Sequence, residues 1–377
     1  MAIGLYVHIP FCHSECTYCD FYRVSYREDA ADRFLDALAI EVAALPRPFR
    51  PRTIYVGGGT PSALREAQLE RLLAILEPFR VDALEYTFEV NPRSATDAKI
   101  DSLAAAGVNR VSFGAQTFKD SALEMLGRRH RGDDIRRVFE RLRARFRSIS
   151  FDLIFAWPGQ TLDAWQADVE AAIALGPDHL SAYSLIYEPG TPITRRVLRG
   201  ELSPVSEEVE RAMFIHAMRR LKSAGYEHYE VSSYARAGHR SIHNQAYWDQ
   251  LDYVGVGPGA CSTMGSLRAT NSPDLESYVR GLARGGAAPR VEERISRREK
   301  LDESILLGLR TSRGLDLVEF REHSGEELST YSGGRLFSLV NAGFVQVSDG
   351  VATLTEDGLC VADRVISELM AGESPAS

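Results

Sequence analysis

Cys12, Cys16 and Cys19 fall within eight residues, and three thiolates at intervals of four and three can converge on one soft metal centre. Two kinds of centre suit that spacing. An iron–sulfur cluster takes one thiolate per iron, whereas a structural zinc site closes with four ligands, for which His13 or His8 could supply the fourth. With three cysteines and no evident fourth, a [4Fe–4S] cluster would keep one iron open to a small ligand. Five cysteines distributed this way do not resemble the even, spread framework of a disulfide-stapled secreted chain, so a reducing compartment is implied. Cys261 and Cys360 read as inert core thiols, with Cys261 the alternative soft ligand.

Other residues carry chemistry at matching places. In Gly57-Gly58-Gly59-Thr60-Pro61 consecutive glycines let backbone groups approach a ligand closely, or simply make a tight turn. No Gly-Lys-Ser/Thr follows, which excludes a nucleotide P-loop. Glu89, Gln116 and Asp152 each stand at the end of an apolar run. A buried carboxylate there needs a partner, either a cationic ligand or an arginine, with a structural hydrogen bond as the competing use.

The elements that must position these residues alternate. Six β-rich runs, at 5–9, 53–57, 86–90, 110–113, 150–154 and 179–185, are separated by amphipathic helical stretches at 32–44, 67–76, 95–105, 135–145 and 162–175. Right-handed βα crossovers repeated six times curl a parallel sheet without reaching the eight units that close it. The expected fold is α/β: a partial (β/α)6 TIM-type barrel over 1–225, with its ligand at the carboxyl ends of the strands. Residues 226–290, rich in Gly, Ser and Tyr, are expected to be an irregular extension packed over the barrel. Residues 295–371 read as a small helical, winged-helix-like domain with helices at 299–308, 317–323, 333–341 and 356–370 and a hairpin around Asp349-Gly350, and 372–377 as a tail.

A chain of 377 residues that is 44% hydrophobic can bury a sizeable core, yet no run approaches the ~18 apolar residues that span a bilayer. No transmembrane segment or signal peptide is expected, and the cytoplasm is the default location. The net charge of −8 and the lack of an aromatic-basic strip argue against nucleic acid as a partner. Nine arginines between Arg128 and Arg147 read as a solvated helical face, with acidic residues interleaved.

CxxxCxxC after the first strand of a partial barrel resembles the signature of the radical-SAM superfamily, with Tyr18 in its usual aromatic position and GGGTP similar to its glycine motif. That resemblance implies a [4Fe–4S] cluster on Cys12, Cys16 and Cys19, and S-adenosylmethionine on the open iron. It places Gly58, Gly59, Thr60, Glu89, Gln116, Arg128 and Asp152 around the cofactor and Tyr6 beside the cluster. The strings Tyr6-Val-His-Ile-Pro-Phe-Cys12, Gly107-Val-Asn-Arg-Val-Ser-Phe-Gly114 and Asp152-Leu-Ile-Phe-Ala-Trp-Pro-Gly-Gln-Thr161 are similar to the oxygen-independent coproporphyrinogen oxidases.

Two departures shift the expectation within that group. The oxidases have a further cysteine where this chain has Phe21, and an extension ahead of the first strand, which here begins almost at Met1. Both departures are those of the HemW-type haem chaperones. His243-Asn244-Gln245-Ala246-Tyr247-Trp248 resembles their HNxxYW motif, implicated in haem binding, and 303–310 resembles their C-terminal domain. Taken alone, His243 reads as an ordinary surface or core histidine. A neutral imidazole can nonetheless ligate haem iron, and Tyr247 and Trp248 could stack on a porphyrin. The resemblance implies haem carried as cargo to an acceptor protein, with the membrane as one meeting place, and a one-electron donor for the cluster. A radical oxidase of porphyrin metabolism is the alternative.

Overall fold

The computed structural model describes residues 4–370. β1 (Gly4–Ile9) runs into a loop carrying two short paired strands, β2 (Phe11–Cys12) and β3 (Val24–Ser25). α1 (Glu28–Ala43) leads to β4 (Thr53–Gly58), α2 (Glu66–Leu76) to β5 (Glu85–Val90), and α3 (Asp97–Ala105) to β6 (Arg110–Gln116). α4 (Asp120–Met125) and α5 (Gly132–Arg143) lead to β7 (Ser148–Phe155), and α6 (Leu162–Leu175) to β8 (His179–Ser184). β1, β4, β5, β6, β7 and β8 pair in that order, all parallel, which gives the expected open barrel of six βα units. α6 shows why the crossovers stop where they do: Thr161 accepts a hydrogen bond from Ala164 N at its start, and Gly176 ends it at φ 70°.

Alternation sorts the strand side chains into two environments. On β1, Leu5, Val7 and Ile9 are fully buried in the apolar layer with Phe34, Leu35 and Leu38 of α1. Tyr6 and His8 take the opposite face, in register with Tyr55 and Gly57 of β4. The barrel interior is therefore polar.

α7 (Pro192–Leu198) and α8 (Glu207–Ser223) follow the sixth strand. Residues 226–290, expected to be irregular and to lie over the barrel, are instead largely ordered. They form β9 (Glu227–Glu230), β10 (Ser233–Ala235), α9 (Ile242–Trp248), β11 (Tyr253–Val256), β12 (Cys261–Met264), β13 (Leu267–Asn271), α10 (Leu275–Ala283) and β14 (Arg290–Arg294). The strands lengthen the barrel sheet at both edges into twelve, in the order β14-β13-β12-β11-β1-β4-β5-β6-β7-β8-β10-β9. Strands this short, with β14 exposed throughout, present too few buried positions for the two-residue period to show in the sequence.

The C-terminal part has its own apolar core, built on Ile305, Leu309, Phe320, Ile366 and Leu369. It comprises α11 (Arg297–Leu309), β15 (Leu315–Asp316), α12 (Leu317–Ser324), α13 (Leu328–Tyr331) and α14 (Arg335–Asn341). β16 (Val345–Ser348), β17 (Val351–Leu354), α15 (Glu356–Leu359) and α16 (Ala362–Met370) complete it. The hairpin turns at Asp349 and Gly350, both at positive φ, as a two-residue turn with right-handed strand twist requires. The single closing helix expected over 356–370 is two, α15 and α16. The expected tail, 372–377, lies outside the described residues. Hydrogen bonds link this part to β9 and the turn beside it, from Val231 N to Arg310 O at 2.8 Å and from Ser312 N to Tyr229 O at 3.0 Å. On the other arm of the sheet, Arg268 of β13 pairs with Glu303 at 2.7 Å, and Arg313 pairs with Asp249, just after α9, at 2.6 Å. Among the described residues no helix is long and apolar enough to cross a membrane.

Candidate metal centre and cofactor pocket

The cysteine loop is pinned on both sides. Val24 N donates to Pro10 O at 2.7 Å and Tyr26 N to Cys12 O at 2.9 Å, closing the base of the loop. Thr17 N donates to Leu126 O at 3.0 Å, and Thr17 O accepts from Ile193 N at 2.9 Å. Gly127, at φ 75°, is what permits that approach, since a Cβ there would stand 2.8 Å from Glu15 O and 3.2 Å from Cys16 Cα. Each cysteine then has its own support. Cys12 Sγ lies 3.3 Å from Thr60 Oγ1, Arg128 Nη1 donates to Cys16 Sγ at 3.4 Å, and Arg23 Nη1 donates to Cys19 O at 2.8 Å. Burial, with a smaller contribution from the neighbouring thiols, pushes the Cys12 and Cys19 thiols up from their ordinary value.

Zinc fits poorly. A closed zinc site needs a fourth ligand beside the three thiols, and neither candidate histidine is ready to supply it. His8 is held between Tyr6 OH at 3.1 Å and Tyr22 O at 2.9 Å, and His13 is exposed, edge-on to the Tyr26 ring. Three half-buried thiols with separate supports and the guanidinium of Arg128 beside one of them suit an anionic cluster that gives each sulfur a different iron.

The glycine run continues the strand pairing beyond β1. Gly59 N donates to Ile9 O and Thr60 N to Phe11 O, both at 2.8 Å, which ties the end of β4 to the segment leading into Cys12. A Cβ on Gly59 would meet Phe11 O at 2.8 Å, and one on Gly57 would meet the Glu89 carboxyl group at 2.8 Å. Gly58, at φ 106°, lies against the His8 ring.

Beside this run the barrel mouth holds two buried carboxylates. Tyr55 OH donates to Glu89 Oε1 at 2.7 Å, yet burial, aided by the charge of Asp152, lifts the Glu89 carboxyl to about 7. Ser112 Oγ donates to Asp152 Oδ2 at 3.0 Å, and burial lifts that carboxyl to about 6. Arg128 spends Nη2 on Gly114 O at 2.8 Å, and its buried Nε has no partner. Gln116 occupies left-handed backbone, φ 67°, where the register of β6 against β7 slips, and its amide turns back over Gly114. Tyr6 lies close enough to Glu89 for the carboxylate to push its phenol up, after burial. Tyr18 neighbours Cys16 and Arg128. The structure thus brings Tyr6, Tyr18, Gly58, Gly59, Thr60, Glu89, Gln116, Arg128 and Asp152 to the same end of the barrel as the three cysteines.

It does not bring His243, Tyr247 and Trp248 there. They lie on α9 under the opposite end, away from the cysteine loop. His243 is 1% exposed. Its Nδ1 is 2.8 Å from Thr53 Oγ1 and its Nε2 is 2.8 Å from Tyr247 OH, so neither nitrogen is free for an iron. Burial pushes its pKa down to about 3, which keeps the ring neutral. Glu85, at the start of β5, caps the helix by accepting from Ile242 N at 2.9 Å and His243 N at 3.0 Å. Trp248 is half-buried, and so are Cys261 and Cys360, which are not core thiols.

Some contributors were not singled out from the sequence. Tyr55 could have been found, because alternation puts it on the same face as Gly57. Asp168, mid-helix in α6, accepts from Thr117 Oγ1 at 2.6 Å and Phe118 N at 2.8 Å and so fixes the turn after Gln116, with no local signal of that task. The arginines after Arg128 are mostly paired on the surface, as Arg141 with Asp97 and Arg145 with Asp101, while Arg143 reaches the buried Asp178.

Residues 6–172 match the radical SAM superfamily and residues 295–361 match the HemN C-terminal domain. The chain is 35% identical over 373 residues to the heme chaperone HemW of Bacillus subtilis (strain 168), covering 97% of this chain and 98% of that protein. It is 36% identical over 372 residues to the heme chaperone HemW of Lactococcus lactis subsp. lactis (strain IL1403), with 97% and 96% covered. Among solved structures, coproporphyrinogen III oxidase (HemN) from Escherichia coli aligns with a TM-score of 0.84 at 25% identity, over 98% of this chain and 90% of that one. With both family matches in chain order and similarity running end to end, the chain belongs to the HemN-like branch of the radical SAM superfamily, in the family of the HemW heme chaperones.

Proposed function

We propose that this protein is a haem chaperone, binding haem and passing it to an acceptor protein. The observation that carries the reading is the similarity to proteins named heme chaperone HemW over 97% of the chain. Membership of the superfamily implies a [4Fe–4S] cluster and S-adenosylmethionine. Cys12, Cys16 and Cys19 would hold the cluster. Tyr6, Tyr18, Gly58, Gly59, Thr60, Glu89, Gln116, Arg128 and Asp152 would form the S-adenosylmethionine pocket. Two carboxylates buried at a cost, together with an arginine nitrogen left without a partner, support a ligand that carries both cationic and anionic groups. When bound, the cluster supplies one-electron reduction at the sulfonium, so a one-electron donor completes the system. The protein's own groups bind and orient: the glycine run keeps the pocket wall thin, Arg128 neutralises charge beside Cys16, and Tyr55 aims Glu89.

Phe21, 71% exposed, stands beside the last cysteine where the oxidases of this group carry a further cysteine. Haem contact through a His243 nitrogen would require it to give up Thr53 or Tyr247. Haem titration of the anaerobically reconstituted protein tests the proposal, with a shifted Soret band and a stable complex expected. No complex would end it. The likeness to coproporphyrinogen III oxidase supports a second reading, an oxidase of porphyrin metabolism. Anaerobic consumption of coproporphyrinogen with release of 5′-deoxyadenosine would favour that reading.

A further inference from the structure

The HNxxYW segment is built into the barrel, and what it touches there bears on the opposite end. The His243 ring stacks on Tyr55, with centroids 5.1 Å apart and planes 29° from parallel. Tyr55 is the residue whose hydroxyl donates to Glu89, at 2.7 Å. A tyrosine aims its hydroxyl only as well as its ring is held, and this ring is held from several directions. Tyr6 flanks it at 6.1 Å, and Gly57 offers no Cβ to displace it. His243 is the member fixed most firmly. Thr53 and Tyr247 take its two nitrogens, and the Tyr247 ring is packed edge-on against Tyr253 at 4.6 Å. Gly4 of β1 leaves room for the imidazole, since a Cβ there would come within 3.2 Å of it. Beneath it all, Glu85 fastens the start of α9 to β5.

We infer that His243 is a positioning residue for the cofactor pocket, holding Tyr55 so that its hydroxyl keeps Glu89 in place. Glu89 stands beside a second carboxylate, Asp152, and is held by two hydrogen bonds, one from the Gly58 backbone and one from Tyr55, so losing the Tyr55 hydroxyl frees it to turn. The inference rests on the proposed role of Glu89 in binding S-adenosylmethionine and is independent of where haem binds.

The test is equilibrium dialysis of S-adenosylmethionine against the full reconstituted chain, with Tyr55→Phe, His243→Ala, their double variant and Glu89→Gln. Tyr55→Phe keeps the ring and loses the hydroxyl, so affinity should fall about tenfold, the scale of a hydrogen bond to a charged group. His243→Ala should weaken binding about threefold to tenfold, and the double variant should be no weaker than Tyr55→Phe, because coupled residues are not additive. A histidine that serves only the floor's packing would not show that dependence on Tyr55. His243→Gln, which keeps a polar group between Thr53 and Tyr247 without the ring face, replaces the alanine variant if that variant fails to accumulate. Additive effects, or His243 variants that bind S-adenosylmethionine like the wild type, overturn the inference. Unchanged affinity in Glu89→Gln overturns the pocket reading itself, and the inference falls with it.

Discussion

The two ends of the barrel are lined by the same kinds of residue, and their charged groups and histidines are finished to different degrees. At the floor, His243 has both nitrogens engaged, and His179 sits between Ser150 Oγ at 2.7 Å and Tyr229 OH at 2.8 Å. Arg110 donates to Ser148 Oγ and to His239 O, and Glu85 accepts two backbone donors. At the mouth, Glu89 and Asp152 are lifted to about 7 and about 6, and Arg23 Nε, Arg128 Nε, Trp157 Nε1 and Tyr187 OH are buried without partners, whereas lower on β5 the buried atoms without partners are the hydroxyls of Tyr86 and Thr87. Buried polar groups are normally satisfied, so unfinished hydrogen bonding is the better mark of a ligand site than residue type. His243, with tyrosine and tryptophan beside it, is hydrogen-bonded through both ring nitrogens in this fold.

The strongest challenge to that contrast is Cys16→Ala. It should abolish the iron–sulfur absorbance of the reconstituted protein while leaving far-ultraviolet circular dichroism unchanged, because the thiol lies in a loop and its hydrogen bond from Arg128 holds no helix or strand. A cluster that survives would show that the mouth is not the metal centre. Next comes Glu89→Gln, which tests the sign. In the folded apo-protein this carboxyl titrates near 7 rather than at its ordinary 4.5, so its contribution to stability is intact below about 4.5 and is lost as the pH rises through about 7. The neutral glutamine removes that loss. The apo-variant should therefore match the wild type in acid and exceed it by about 3 kcal/mol above pH ~7, in urea unfolding at each pH. Equal pH dependence in the two proteins would mean the mouth is as finished as the floor. Thr53→Val is the smaller, opposite case. It strands a ring nitrogen of buried His243 and should destabilise by about 1 kcal/mol at every pH. A stabilising result would reverse the comparison.

What could be read from the sequence follows the strength of local patterns. Leu5, Val7 and Ile9 alternate with Tyr6 and His8, so the first strand and its two environments are plain, and the six βα units follow from repeats of the same pattern. The cysteine loop and glycine run are local and were legible. β12 and β13 are not, because their buried positions are too few to beat the polar residues around them. The break between α15 and α16 leaves no clear breaker either. Gly358 is needed because Phe344 O comes within 2.0 Å of where its Cβ would be, a contact from another element. The orientation of α9 depends on Glu85 and Thr53, more than 150 residues earlier in the chain, and no window of sequence contains that partnership.

An open barrel has a seam, and the C-terminal part spans it. Val231 and Tyr229 meet Arg310 and Ser312 on one side, while Arg268 and Asp249 meet Glu303 and Arg313 on the other. Mechanically this is a split ring closed by a clasp. Spreading the ring at its seam would first have to part these contacts, two backbone hydrogen bonds on one side and two ion pairs on the other.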